Sequence, residues 1–282
     1  MLVLPHPSRA DFQGERALEF TRKVVAFGPR PAGSPALRRA RRYILSQLRA
    51  LDCSVEEDRF TAATPRGAVK MTNIIARFPG TSGRAVVVSG HYDTKPMPGI
   101  RFVGANDGGS SAGLLLEMAR VLSGVPRIHD VYLVWFDGEE AIGPWSETDG
   151  IYGSRHLADR WESEKKLEGI EALINVDMIG DRDLGIVQDA GSSRPLRLLV
   201  WKVAASLGYG KYFLNSLNAI EDDHMPFVRK GIPALDLIDF DYGPNHSWWH
   251  TDKDTMDKLS AQSLEVVGKV LLEVLRQLEK SG

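Results

Sequence analysis

DVYLVWFDGEEAIGPW, Asp130 to Trp145, joins a very apolar run to three carboxylates in four residues. The run DVYLVWF is rich in β-branched and aromatic side chains, as expected of a strand covered on both faces. Asp137, Glu139 and Glu140 follow it directly. Like charges this close disfavour one another's ionisation, so a soluble chain needs a physical reason to gather them.

Outward from this stretch the same alternation repeats. Upstream, RAVVVSG reads as a buried strand, and SAGLLLEMARVL as a helix behind a Gly-rich turn. Downstream come the helix GSRHLADRW, the strand IEALINVDMI, the helix PLRLLVWKVAASLG, the strand IPALDLI and a closing amphipathic helix, AQSLEVVGKVLLEVLRQLEK. Before them, CSVEEDRFTAAT and VKMTNIIARF suit an edge hairpin. GSPALRRARRYILSQLRALD begins with a Ser34 cap and Pro35 at the first helical position. Its Arg38, Arg39, Arg41 and Arg42 are read as a solvated helix face. Apolar strands alternating with helices predict an α/β fold of three layers, α/β/α, around a mostly parallel twisted sheet. No repeat, linker or break in composition divides the chain, which predicts one domain over residues 1–282.

The 282 residues include 35 basic and 37 acidic side chains, for a formal net charge of −2, which gives no footprint for nucleic acid. Nothing approaches about 18 consecutive apolar residues, so no membrane span is expected. MLVLPHPSRADF lacks a basic flank and a full apolar core, so no signal peptide is readable. Cys53 is the only cysteine, which excludes an internal disulfide and a thiolate zinc site.

The unusual polar residues fall in loops at about residues 91–108, 138–151 and 239–256. His91 and Asp93 follow RAVVVSG, Asp107 sits in GANDGG, Asp177 lies in INVDMIG, and His250 lies in NHSWWHTDKD. Ligands of open α/β sheets bind outside the carboxyl ends of the strands, and successive connections bring His or carboxylate there. Oxygen and imidazole donors without sulfur suit a catalytic zinc ion, whose charge relieves the crowding. GANDGGSSAG lacks the Lys of a phosphate-binding loop, and its glycines are read as letting Asp107 approach a metal. A Ser–His–Asp triad built on Ser110 or Ser111 is set aside because no G-x-S-x-G nucleophile elbow is read.

GHYDTK, GANDGGSSAG, WFDGEEA, INVDMIG and WHTDKDT together resemble the zinc aminopeptidase family M28. That family also contains the animal-type glutaminyl-peptide cyclotransferases, and its fold is a mixed, mostly parallel sheet in one domain. The resemblance implies that Asp107, Glu140 and His250 hold zinc, and that His91 and Asp177 hold a second ion in two-zinc peptidases. It implies Glu139 as general base, Asp93 as support for His91, and Asp177 with Asp222 as an acidic relay. The long segment AIGPWSETDGIYGSRHLA, the segment EDDHMPFVRKGIPALDLI, and Trp249 directly before His250 are similar to the cyclase branch. Trp145 and Trp249 would then wall a pocket for N-terminal glutamine. Glu221 stands where that branch usually carries Gln.

Zinc is therefore expected, one ion in a cyclase and two in an aminopeptidase, which is the alternative reading. The expected partners are peptides with a free N-terminal Gln. A monomer is expected, and family habit further implies an extracytoplasmic compartment. His156, Trp161 and His224 are read as structural, Asp137 as no more than a strand-end or supporting group, and His246 is left open.

Overall fold

The computed structural model describes residues 11–281, so most of the segment searched for a signal peptide lies outside the described residues. The run that precedes the three carboxylates forms β4, and side-chain alternation along it shows how the layers arise. In chain order the strands are β1 (Ser54–Thr64), β2 (Gly67–Phe78), β3 (Ala85–His91), β4 (Asp130–Phe136), β5 (Ile170–Asp177), β6 (Ile186–Asp189), β7 (Phe213–Asn218) and β8 (Ala234–Ile238). They form one sheet in the order β1-β2-β4-β3-β5-β8-β6-β7. The inner strands β4, β3, β5 and β8 are parallel. The β1–β2 hairpin joins them antiparallel through β2 and β4, and β6 joins β8 antiparallel. The sheet is mixed, as expected.

The helices are α1 (Gly14–Val25), α2 (Pro35–Leu48), α3 (Gly109–Leu122), α4 (Tyr152–Ser163), α5 (Arg194–Ser206), α6 (Met225–Arg229) and α7 (Ala261–Ser281). Successive strand residues point to opposite faces. Val86, Val88, Leu133 and Trp135 thus enter one core with Ala112 and Leu115 of α3 and Val267 of α7. Val87, Val134 and Phe136 enter the other, with Leu157 and Trp161 of α4 and Phe227 of α6. Each such side chain contributes roughly 1.5–3 kcal/mol when fully buried. Three layers follow.

In α2 the Ser34 hydroxyl accepts the Leu37 amide at 3.0 Å, the expected cap. Its buried residues Ala36, Leu37, Ala40, Ile44 and Leu48 repeat at helical spacing. Arg38, Arg39 and Arg42 are exposed as expected, whereas Arg41 is half-buried.

Three elements were not anticipated. For α1, Gln13 at the N-cap makes no capping bond, which removes the local start signal. Strand β6 has only four residues, and β7, FLNSLN, is polar and exposes five of its six residues at the sheet edge. Tertiary pairing, rather than composition, makes these two strands. Among the described residues no helix is long and apolar enough to cross a membrane.

Candidate active site

Strands β3, β4 and β5 end with charged groups pointing to one edge of the sheet. His91 is the last residue of β3, Asp177 the last of β5, and Glu139 and Glu140 follow β4. Asp107 comes from the turn before α3. Gly108 there has φ 73°, and a Cβ at this position would lie 2.8 Å from the His91 ring. Only glycine fits this approach. His250 comes from the loop after β8 and has φ 52°, and Met178, following Asp177, has φ 48°. Such backbone strain in non-glycine residues clusters at functional sites.

His250 Nε2 lies 3.3 Å from Asp107 Oδ2 and 3.2 Å from Glu140 Oε1. His91 Nε2 lies 3.2 Å from both Asp107 Oδ1 and Asp177 Oδ1. Asp107, Glu140 and His250 offer ligand atoms within 4.8 Å of one another, and so do His91, Asp107 and Asp177. The buried atoms Asp107 Oδ2 and Glu140 Oε1 face His250 Nε2, one ring nitrogen shared between two carboxylates. Two buried carboxylates converging on one imidazole nitrogen fit a divalent cation, and the imidazole–carboxylate set suits zinc.

The protonation pattern agrees. Burial alone would lower the pKa of His250, but hydrogen bonds to Asp107 and Glu140 outweigh it and carry the value to about 10. Burial would raise Asp107, yet the hydrogen bonds of His250 and His91 hold it below the usual range. Burial and the charge of Asp107 raise Glu140 despite its bond to His250. The pocket demands positive charge, and a metal competes with protons for the same atoms.

Glu139 is placed differently. Its amide donates to Asp93 Oδ1 at 3.2 Å, and its carboxylate is 3.9 Å from His91 Nδ1, with the side chain 18% exposed. Burial raises its pKa well above the ordinary value; His91 opposes the shift, and Glu140, Asp222 and Asp223 reinforce it. Asp222 is raised to about 6 by burial and by the charge of Asp177. Asp93 stands 3.5 Å from His91 Nδ1, a long contact.

A cavity of about 390 Å³ opens over these groups, with Trp145, Trp249 and Phe240 among its walls and Lys95 and Glu221 among its polar lining. Trp249 stacks on the His250 ring at 3.9 Å, which fixes both. Trp145 is 52% exposed. Asp149 organises its loop by accepting the Ile142 and Gly143 amides, each at 2.8 Å, and the Tyr152 hydroxyl at 2.7 Å. The structure thus brings together Glu139, Asp177, Asp222, Asp107, Glu140, His250, His91 and both tryptophans.

Other expectations take different outcomes. GSSAG, residues 109–113, does satisfy the G-x-S-x-G spacing. Both hydroxyls are nevertheless buried and committed, Ser110 to the Asn106 carbonyl and Ser111 to that of His91. His224 occupies the N-cap position of α6 without a side-chain cap; instead its Nε2 meets Asp189 Oδ2 at 3.0 Å. His246 packs between Phe240 and Trp249, behind the pocket wall.

Sequence reading missed two supports. Arg30 is fully buried and donates to the carbonyls of Tyr92, Val103 and Gly104, tying the His91 loop to the Asp107 loop. Asp254 accepts the Asn106 and Asp107 amides at 2.8 and 3.2 Å. Asp254 lay in the quoted motif WHTDKD, but nothing beside Arg30 marks it out.

The profile of peptidase family M28 matches residues 73–275. A curated glutaminyl-peptide cyclotransferase from Drosophila melanogaster is 35% identical over 252 residues, covering 80% of this chain and 70% of that protein. The crystal structure of an Acidobacteriales bacterium glutaminyl cyclase is similar over 100% of both chains, with 41% identity and a TM-score of 0.93. A Zn-dependent exopeptidase from Parabacteroides distasonis covers 95% of this chain and 99% of its own, at 29% identity and a TM-score of 0.84. The family profile takes in the inner strands, the strand-end loops and the carboxylate–histidine cluster. The chain belongs to peptidase family M28.

Proposed function

We propose that the protein is a glutaminyl-peptide cyclotransferase, turning N-terminal glutamine of peptides into pyroglutamate with release of ammonia, and that residues 1–282 act as one catalytic domain. The observation that carries this reading is the pocket in which Trp145 and Trp249 face Glu139 and the Asp107–Glu140–His250 cluster. Similarity to named cyclases supports it.

Asp107, Glu140 and His250 would hold one zinc ion, which when bound supplies a Lewis acid for the γ-carbonyl oxygen of the glutamine side chain. Glu139 takes a proton from the substrate's α-amine as the nitrogen attacks the side-chain carbonyl carbon. It returns the proton to the departing amide nitrogen, which leaves as ammonia when its bond to that carbon breaks. A carboxylate with a raised pKa suits both directions of transfer. Asp177 and Asp222 keep the surroundings acidic, so that Glu139 holds a proton between the two steps. Trp145 and Trp249 pack on the glutamine methylenes and fold the chain for ring closure.

One observation favours a second reading. His91, Asp107 and Asp177 also converge, so Asp107 could bridge two ions as in a hydrolytic aminopeptidase. The zinc-loaded protein is to be given Gln-β-naphthylamide and Leu-p-nitroanilide. Ammonia from the first and no cleavage of the second is the expected outcome. Cleavage of the second, with about two zinc ions per chain by elemental analysis, sinks the cyclase reading. A monomer acting outside the cytoplasm on peptides with free N-terminal glutamine completes the proposal.

A further inference from the structure

PMPGIRF, residues 96–102, continues the loop that carries His91 and Asp93. Pro96, Met97, Pro98 and Ile100 line a small cavity of about 270 Å³ together with Pro29 and Pro31. Its walls are stiff and apolar, because proline fixes φ and carries no N–H. Arg30, between the two upstream prolines, ties the walls together. Its amide donates to Thr94 Oγ1 at 2.9 Å, and its guanidinium donates to the carbonyls of Tyr92, Val103 and Gly104. The groove is therefore built before any ligand arrives. Ile100 is nevertheless 39% exposed, so apolar area here stands in water and gains from being covered.

The groove adjoins the active-site pocket, and Lys95 lines both. Its Nζ lies 3.7 Å from Glu140 Oε2 and 3.4 Å from the Ala141 carbonyl. Both contacts are long, and an ammonium has three protons to donate, which leaves capacity for a peptide carbonyl. Phe102 is buried, lines the groove, and meets the His250 ring edge-on at 5.6 Å. One aromatic thus backs the candidate ligand cluster and the groove together. A peptide whose N-terminal residue sits at Glu139 has to lead the rest of its chain out of the pocket. A chain leaving past Lys95 enters the groove one or two residues later. Ordinary ligand pockets hold roughly 300–1,000 Å³, so this smaller space suits one side chain rather than a separate ligand.

We propose that the proline-walled groove receives an apolar or aromatic side chain from the second or third position of the substrate peptide, with Lys95 donating to a peptide carbonyl on the way. The preferred substrates are then glutaminyl peptides with such a residue downstream, ahead of those with glycine or a carboxylate there. This assignment rests on the reading that the pocket takes a peptide by its free N-terminus. Apolar contact away from the reacting carbonyl is the same in the ground and transition states, so it lowers KM and leaves kcat unchanged.

Calorimetric titration of the zinc-loaded Glu139→Gln protein, in which turnover is suppressed, tests it with the amides of Gln-Gly-Gly, Gln-Phe-Gly, Gln-Gly-Phe and Gln-Gly-Glu. At least one phenylalanine peptide should bind about tenfold more tightly than Gln-Gly-Gly, and Gln-Gly-Glu should show no such gain. Met97→Ser combined with Ile100→Ser should remove most of the gain and leave the affinity for Gln-Gly-Gly as it was. The proposal is overturned if neither phenylalanine peptide binds more tightly than Gln-Gly-Gly, or if Gln-Gly-Glu gains as much. It is also overturned if the gain survives the double substitution, as it would were Ile220 and Phe240 of the active-site pocket the receiving surface. Ammonia release by the unsubstituted enzyme tests the cyclase reading separately, because the ratio of affinities does not depend on turnover.

Discussion

The inner strands and the loops that follow them bury opposite kinds of group. Strand β3 hides Ala85, Val86, Val87 and Val88, and β4 hides Leu133, Val134, Trp135 and Phe136. The loops that follow the strands hide Asp93, Asp107, Glu140, Asp222, Asp223 and Asp254. The strands gain from apolar burial, while the loops oppose folding through crowded charge and positive-φ backbone. One region supplies stability and the other uses it. A substitution in the strands should therefore cost stability and spare chemistry, and one in the loops should do the reverse.

The sharpest separation comes from Glu139→Gln. Losing the group that shuttles the proton should lower kcat by about 10²–10⁴-fold. Zinc content should match the parent, and the melting temperature should hold or rise, because a buried like charge has gone. Loss of zinc would assign Glu139 to the metal instead. A lower melting temperature would break the contrast between the regions. Leu133→Ala is the mirror experiment, expected to cost about 2–5 kcal/mol in denaturant unfolding with kcat little changed.

Arg30 crosses this division. It is fully buried, and burial lowers its pKa only to about 10, because Asp93, Asp107, Asp254 and Glu140 oppose the shift. It therefore stays charged at neutral pH and offsets part of the acidic cluster. Arg30→Met should cost roughly 3–5 kcal/mol, as expected when one partner leaves a buried charged network. Unlike Leu133→Ala, it should also weaken zinc retention during dialysis against a chelator. Stability loss with normal zinc affinity would make Arg30 a purely structural strut.

These contrasts also explain what could be read from the residues alone. Apolar runs such as AVVV and LVWF announce buried strands by composition, and the carboxylates and histidines after them announce the site by position. The convergence of Asp107 with His250, 143 residues apart in sequence numbering (250 − 107), needed the family resemblance as well. Arg30 could not be read because its partners are backbone carbonyls, which have no residue type. Strands β6 and β7 were invisible for a related reason, since their pairing rather than their side chains makes them strands. Asp149 sat unread inside a recognised loop because amide caps leave no spacing pattern.

Trp145 tests the loop in a gentler way. Half-exposed, it adds little to stability and gains its contact area only when substrate covers it. Trp145→Ala should lower kcat/KM about tenfold or more with no change in melting temperature. Asp149→Ala, which frees the loop that carries the indole, should imitate it in direction. If Asp149→Ala leaves kcat/KM untouched, loop order does not position the tryptophan.

The smallest effect asks whether charge burial outside the ligand cluster also opposes folding. Asp239 follows β8, is 1% exposed, and accepts the Gly185 amide at 2.9 Å. Burial raises its pKa to about 7 although that amide opposes the shift. In the unfolded chain the group titrates near 3.9. Between roughly pH 4 and 7 the unfolded chain therefore gives up a proton that the fold keeps, and stability falls as pH rises through this window. Asp239→Asn retains a carbonyl oxygen for Gly185 and removes the titration. Its unfolding free energy should fall less steeply across that window and exceed the parent's at pH 8 by an amount on the order of 1–3 kcal/mol. Parallel stability curves would mean that Asp239 ionises freely in the fold. The opposition to folding would then reside in the crowding of the strand-end carboxylates and not in the burial of single charges.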